Sequence, residues 1–245
     1  MYALGIPTTR ALAAVATGDP VYRQQLEPGA ILTRVAKSHI RIGTVQFFAM
    51  TRQGAGLNEL VTYVTERHYL GALEKARQLD PEATHAQVLL NEVTRALASL
   101  VAHWQALGFI HGVLNTDNML LCGETVDYGP CAFMDTFAAG QVFSSIDTGG
   151  RYAFGNQPGI VHWNLSVLAQ CLLPLLNEDQ DKALALAQDS VDQFPTLFTE
   201  IYSARLAAKF GLDAMRETDH ALIESFFNQL EKDKLDFTLA FRWLT

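Results

Sequence analysis

Three polar residues stand out in the mostly apolar stretch GFIHGVLNTDNMLLCGETVDYGPCAFMDTF: His111, Asn118 and Asp127. An amide oxygen and a carboxylate are hard oxygen donors, the kind that Mg²⁺ takes together with phosphate oxygens. Asp117, beside Asn118, adds a second carboxylate, which could accept a proton from a hydroxyl within hydrogen-bond reach. Arg34 lies inside the run AILTRVA and Arg41 inside SHIRIG. An arginine in an apolar, β-rich segment must snorkel, pair with a carboxylate or find an anion, and its planar fork of donors suits phosphate. Taken singly, these residues have ordinary readings. Asp-Asn and Asp127-Tyr128-Gly129-Pro130 are turn formers, and surface or structural ion pairs account for most arginines. Their order along the chain is what argues for a metal–nucleotide site.

Such a site needs elements that bring distant residues to one place. Residues 84–107 predict a helix, with Val88, Leu89, Val93, Leu97, Leu100, Val101, Trp104 and Leu107 on one apolar face and Gly108 at the cap position. A loop with His111 follows, then a short strand from Met119 to Cys122, a turn at Gly123-Glu124 and a second strand reaching Asp127. A hairpin of this kind would set Asn118 and Asp127 on one ion. In protein kinases the comparable segment reads H-x-D-x-x-x-x-N, then a hairpin, then D-F-G. Here the slot two residues after His111 is Val113, which can neither accept a proton nor orient a hydroxyl. Either the chain does not carry out ordinary phosphoryl transfer, or Asp117 takes the base role from a new position.

Upstream, ALAAVAT (residues 11–17) and AILTRVA (30–36) read as strands, with Gly18-Asp19-Pro20 as a turn signal. HIRIGTVQFFAM (39–50) reads as a third β-rich run, though it alternates less cleanly. Residues 55–80 read as a helix. From residue 162 the segments WNLSVLAQCLLPLL, DKALALAQDSVDQF, PTLFTEIYSARLAAKFG and DHALIESFFNQL read as successive helices. The fold class is therefore α+β. A small β-containing part (residues 1–54) precedes a mainly helical part (residues 55–245) that holds the catalytic loop and metal-binding hairpin (residues 111–135).

Bulk properties narrow the function classes. A net charge of -8 gives no overall field to attract nucleic acid or anionic membrane. No apolar run approaches the roughly 20 residues of a membrane span, and the N-terminus lacks signal-peptide order. Cys122, Cys131 and Cys171 are far apart with no C-x-x-C, which predicts reduced thiols and a cytoplasmic chain rather than a disulfide framework or zinc site. No G-x-S-x-G or H-E-x-x-H motif supports a hydrolase.

HGVLNTDNM (111–119), DYGPCAFMD (127–135), VFSSID (142–147), GRYAFGNQP (150–158) and LTRVAKSHIRIG (32–43) resemble the selenoprotein O family. The resemblance implies a protein-kinase-like fold in a family long regarded as pseudokinases. It also implies protein adenylylation (AMPylation): ATP, bound inverted relative to kinases, gives AMP to Ser, Thr or Tyr hydroxyls of protein substrates, with Mg²⁺ or Mn²⁺. By that resemblance Asp117 is the base, Asn118 and Asp127 hold the metal, and Arg34 and Arg41 contact the nucleotide. A Gly-rich loop, a phosphate-binding Lys and its partner Glu, expected upstream, are not identifiable. The chain therefore resembles the middle of a longer protein, with a partial kinase-like fold: a remnant of the N-lobe plus the C-lobe. Two alternatives stay open, a non-catalytic ATP-binding module and a kinase proper.

Overall fold

A computed structural model describes residues 1–244 of the chain. Its architecture is α+β, mostly helical, with two small antiparallel sheets. Strands β1 (Arg10–Tyr22) and β2 (Leu26–Val35) pair from Arg10 with Val35 to Tyr22 with Leu26. Gly18-Asp19-Pro20 is not the turn. It forms an irregularity inside β1, between the pairs Ala16–Ala30 and Pro20–Pro28. Gly18 supplies a φ of 79°, a conformation open to glycine, and the chain reverses only at Arg23–Gln25. All thirteen residues of β1 are exposed, so the ribbon stands clear of the core.

The third expected β-run is a helix. Residues Ile42–Met50 form α1, entered through Arg41 in an extended conformation, with Thr44 Oγ1 accepting from the Arg41 N–H at 3.2 Å. Ile42 and Val45 are fully buried, and Phe48 and Ala49 pack against the core. This i, i+3 burial outweighs the β-propensity of the β-branched residues.

Helix α2 (Gly54–Leu79) bends at Tyr69, whose hydroxyl donates to the Leu121 carbonyl at 2.6 Å. The central helix is α3 (His85–Leu107). Thr84 Oγ1 caps it by accepting from Gln87 N–H at 3.1 Å, and Gly108 ends it in the left-handed conformation at φ 70°. Both of its ends fall where periodicity puts them. Its apolar face packs against α2, α4 (Gln157–Leu176) and α5 (Gln180–Lys209). Helix α5 is one helix of thirty residues, although the sequence suggests a break at Pro195. The stacked rings of Phe194, Phe198 and Tyr202 run along it across that point, and proline's fixed φ is itself helical. The stretch Phe154–Leu176, against expectation, is long and apolar enough to cross a membrane by length and composition alone. In the structure Val161, Leu165, Leu168, Leu172 and Leu176 are buried in the main core.

Two short strands, β3 (Phe109–Ile110) and β4 (Ala132–Phe133), pair across the segment that holds His111, Asn118 and Asp127. Helices α6 (Asp219–Asp233) and α7 (Phe237–Arg242) close a second, aromatic-rich core of Ile110, Met134, Phe137, Phe154, Phe237 and Phe241. The hairpin expected after Asn118 is reduced to a single antiparallel bridge between Met119 and Thr125, with a turn between them. The expected strand Met119–Cys122 is thus not formed: Leu121 and Cys122 lie in a turn closed by the Gly123 N–H donating to the Leu120 carbonyl at 3.0 Å.

Candidate nucleotide and metal site

The segment from Phe109 to Pro130 is held from below by side chains of α4. Gln157, fully buried, accepts from the His111 N–H at 3.0 Å and donates to the Phe109 carbonyl at 2.9 Å. Asn164, also fully buried, donates to the Leu114 carbonyl at 2.9 Å. Gly112, at φ 84°, lets the loop close on Pro130: a Cβ there would lie 2.8 Å from the Pro130 carbonyl oxygen.

His111 is fully buried. Its Nε2 donates to the Val126 carbonyl at 2.8 Å, and its Nδ1 accepts from the Val113 N–H at 3.4 Å. Burial pushes its pKa down, against the upward pull of the Val126 carbonyl and the Asp127 charge. A neutral ring with both nitrogens occupied is a tie between the loop and the Asp127 segment rather than a proton donor.

Asp117 and Asn118 lie on a 3₁₀ turn, Thr116–Asn118, capped by Asn115 Oδ1 accepting from Asp117 N–H at 3.0 Å. Asp117 as a residue is exposed. The Asn118 Nδ2 donates to the Val113 carbonyl at 3.0 Å. The residue in the kinase Asp slot thus orients the Asn118 amide and leaves its oxygen as the group available to a ligand. The Met119–Thr125 bridge sits one residue from Asn118 and two from Asp127, so both residues flank it. Asp127 is exposed and adopts φ 62°, a left-handed conformation uncommon outside glycine and of the kind stored at functional sites. Among the described residues its carboxylate makes no ion pair or hydrogen bond.

The two arginines attach to different flanks. Arg41 bridges Leu120, next to the Asn118 side, and its buried Nε has no hydrogen-bond partner among the described residues. Arg34 reaches the Asp127 side, with its guanidinium 5.5 Å from the Tyr128 ring centre. Burial pushes the Cys131 thiol up, with Arg34 pulling it down and Asp127 raising it, so both charges act on the same spot. The Tyr128 hydroxyl makes a short hydrogen bond with Thr8 Oγ1. Thr125, bridged to Thr8, accepts at its Oγ1 from Trp104 Nε1 at 3.2 Å.

The donor set suits a hard cation. Among the described residues no group of three or more His, Cys, Asp or Glu side chains could hold a metal. An amide oxygen beside a free carboxylate is instead the sparse protein contribution that Mg²⁺ accepts when phosphates complete its shell.

Residue types alone do not single out Gln157, Asn164 or Gly43. The one available signal for Asn164 is a polar residue on the face shared by Val161, Leu165 and Leu168.

The whole chain, residues 1–245, matches the family model described as protein adenylyltransferase SelO. The chain belongs to this family. Two curated bacterial relatives carry the name protein nucleotidyltransferase YdiU. The one from Bacillus cereus (strain ATCC 10987 / NRS 248) is 51% identical over 245 residues, which cover 100% of this chain and 49% of the relative. The one from Bradyrhizobium diazoefficiens is 53% identical over 244 residues, covering 100% of this chain and 48% of the relative. The chain spans about half the length of the curated relatives it matches.

Proposed function

We propose that the chain carries the base, metal and part of the nucleotide site of a protein adenylyltransferase with a partial protein-kinase-like fold. Residues 1–54 are its N-lobe remnant and residues 55–245 its C-lobe. Its co-substrate is ATP and its acceptors are Ser, Thr or Tyr hydroxyls of proteins. Three free cysteines suit a bacterial cytoplasm. The observation that supports the reading is the Met119–Thr125 bridge, flanked by Asn118 on one side and Asp127 on the other, in a chain of this family.

In this reading Asp117 accepts the proton of the acceptor hydroxyl. The hydroxyl oxygen bonds to the α-phosphorus, the bond from that phosphorus to the β-phosphate bridging oxygen breaks, and pyrophosphate leaves. Asn118 Oδ1 and Asp127 would hold Mg²⁺, or Mn²⁺ in its place, and the ion when bound would neutralise phosphate charge. Arg41, whose buried Nε lacks a partner, and Arg34 supply fixed positive charge to the nucleotide. Val113 in place of the kinase Asp favours AMP transfer over phosphorylation.

The test compares α- and γ-labelled ATP with Mg²⁺ and candidate acceptor proteins. Label should follow the α-phosphate and vanish in Asp127→Ala. Label transferred from γ only, or equal transfer by Asp127→Ala, would sink the assignment. Binding is read separately. At about 100 times its dissociation constant, Mg·ATP should stabilise the wild-type chain by about 2.7 kcal/mol, and Asp127→Ala much less.

A further inference from the structure

The start of α1 is laced to the turn that carries Asp117. Ile42 N–H donates to the Met119 carbonyl at 2.9 Å, and Leu121 N–H to the Ile40 carbonyl at 3.0 Å. Arg41 bridges Leu120, and Thr116 Oγ1 donates to Gln46 Oε1 at 3.0 Å. At the centre of this seam is Gly43, the second residue of α1. A Cβ on Gly43 would lie 2.0 Å from Asp117 Oδ1, 3.0 Å from its Cγ and 3.4 Å from its Cα. All three of the nearest atoms belong to Asp117.

We propose that Gly43 is a positioning residue for Asp117: the missing side chain lets the carboxylate dock against the first turn of α1. The inference rests on the reading of Asp117 as the base. Gly43 has an ordinary helical φ, so backbone freedom does not explain a glycine there, and alanine is the better helix former. The positive end of the helix also favours a carboxylate at its first turn. Any larger residue must drive Oδ1 from 2.0 Å to the 3.4 Å of ordinary contact, a retreat of about 1.4 Å. Asp117 is exposed, so it can swing outward without unfolding the chain. A displacement of about 1 Å at a reacting group costs on the order of 100-fold in rate.

The experiment uses the full chain with Gly43→Ala, Asp117→Asn and the double variant. Gly43→Ala should lower kcat for AMP transfer by about 100-fold, leave KM for ATP within about twofold and not lower the melting temperature. In the Asp117→Asn background Gly43→Ala should cost nothing more, because the group it displaces no longer accepts a proton. Independently of turnover, the ¹³C resonance of the Asp117 carboxylate, assigned by its absence in Asp117→Asn, should shift in Gly43→Ala while that of Asp127 stays in place. An unmoved Asp117 resonance overturns the inference, as does wild-type kcat in Gly43→Ala or a further loss in the double variant. If Asp117→Asn transfers AMP at the wild-type rate, the base assignment fails, while the resonance still decides whether Gly43 docks the carboxylate.

Discussion

Replacing Gln157 by leucine tests whether α4 holds the segment that follows Phe109. The side chain is fully buried, and its two bonds run to backbone groups of Phe109 and His111 that are themselves buried. Leucine nearly conserves the volume, so the packing cost is small. What remains is an N–H and a carbonyl robbed of a partner in a site without water access. Each stranded group costs about 1–3 kcal/mol, so the pair predicts a loss of about 2–6 kcal/mol. Set against a typical total stability of about 5–15 kcal/mol, that is a large fraction. Urea unfolding followed by circular dichroism measures it, with an unchanged slope marking an unchanged unfolded state. Asn164→Leu is the internal comparison. It strands only the Leu114 carbonyl, and it removes an amide oxygen that is already buried without a partner, so its cost should be the smaller. A Gln157→Leu loss below about 1 kcal/mol, or one no greater than that of Asn164→Leu, would refute the clamp.

Gly108→Ala should destabilise by at least about 1–2 kcal/mol, the cost of a left-handed conformation for an L-residue. The new Cβ would also meet the buried Phe237 ring at 2.8 Å; a melting curve within a degree of wild type would contradict this. His103 gives a pH signature. Burial, then the Arg205 charge, hold its pKa at about 4, with the Ser99 carbonyl opposing, while Arg205 donates to its Nδ1 at 2.9 Å. Between pH 6.5 and about 4 the unfolded chain binds the extra proton, so stability should fall on acidification through that window. His103→Gln should lose stability less steeply there, and parallel curves would count against the depressed histidine. Ile31→Lys, on the free-standing ribbon where Ile31 is 62% exposed, should change stability by less than about 0.5 kcal/mol; a larger loss in denaturant would mean the ribbon is packed.

Local signals set much of this protein. The apolar repeat of α3, its Thr84 cap and its terminal glycine are periodicity and backbone chemistry, readable without partners. The order His111, Val113, Asp117, Asn118, Asp127 carried the kind of chemistry and the family likeness, because metal and nucleotide need those residue types in that sequence. Tertiary contacts decided the rest. Residues 42–50 have β-rich composition, yet burial of Ile42 and Val45 against the core makes them helical. The hairpin at Asn118 shrinks to one bridge and a tight turn, while Leu120 bridges Arg41, a partner 79 residues away. Gly18-Asp19-Pro20 has the composition of a turn but is carried through as a strand irregularity by pairing with β2. Gln157 and Gly43 are invisible to periodicity, since their roles are set by what lies opposite: two backbone groups in one case and a single carboxylate oxygen in the other. Spacing along a chain can state which groups belong together, but only the packed neighbours fix where a carboxylate may sit.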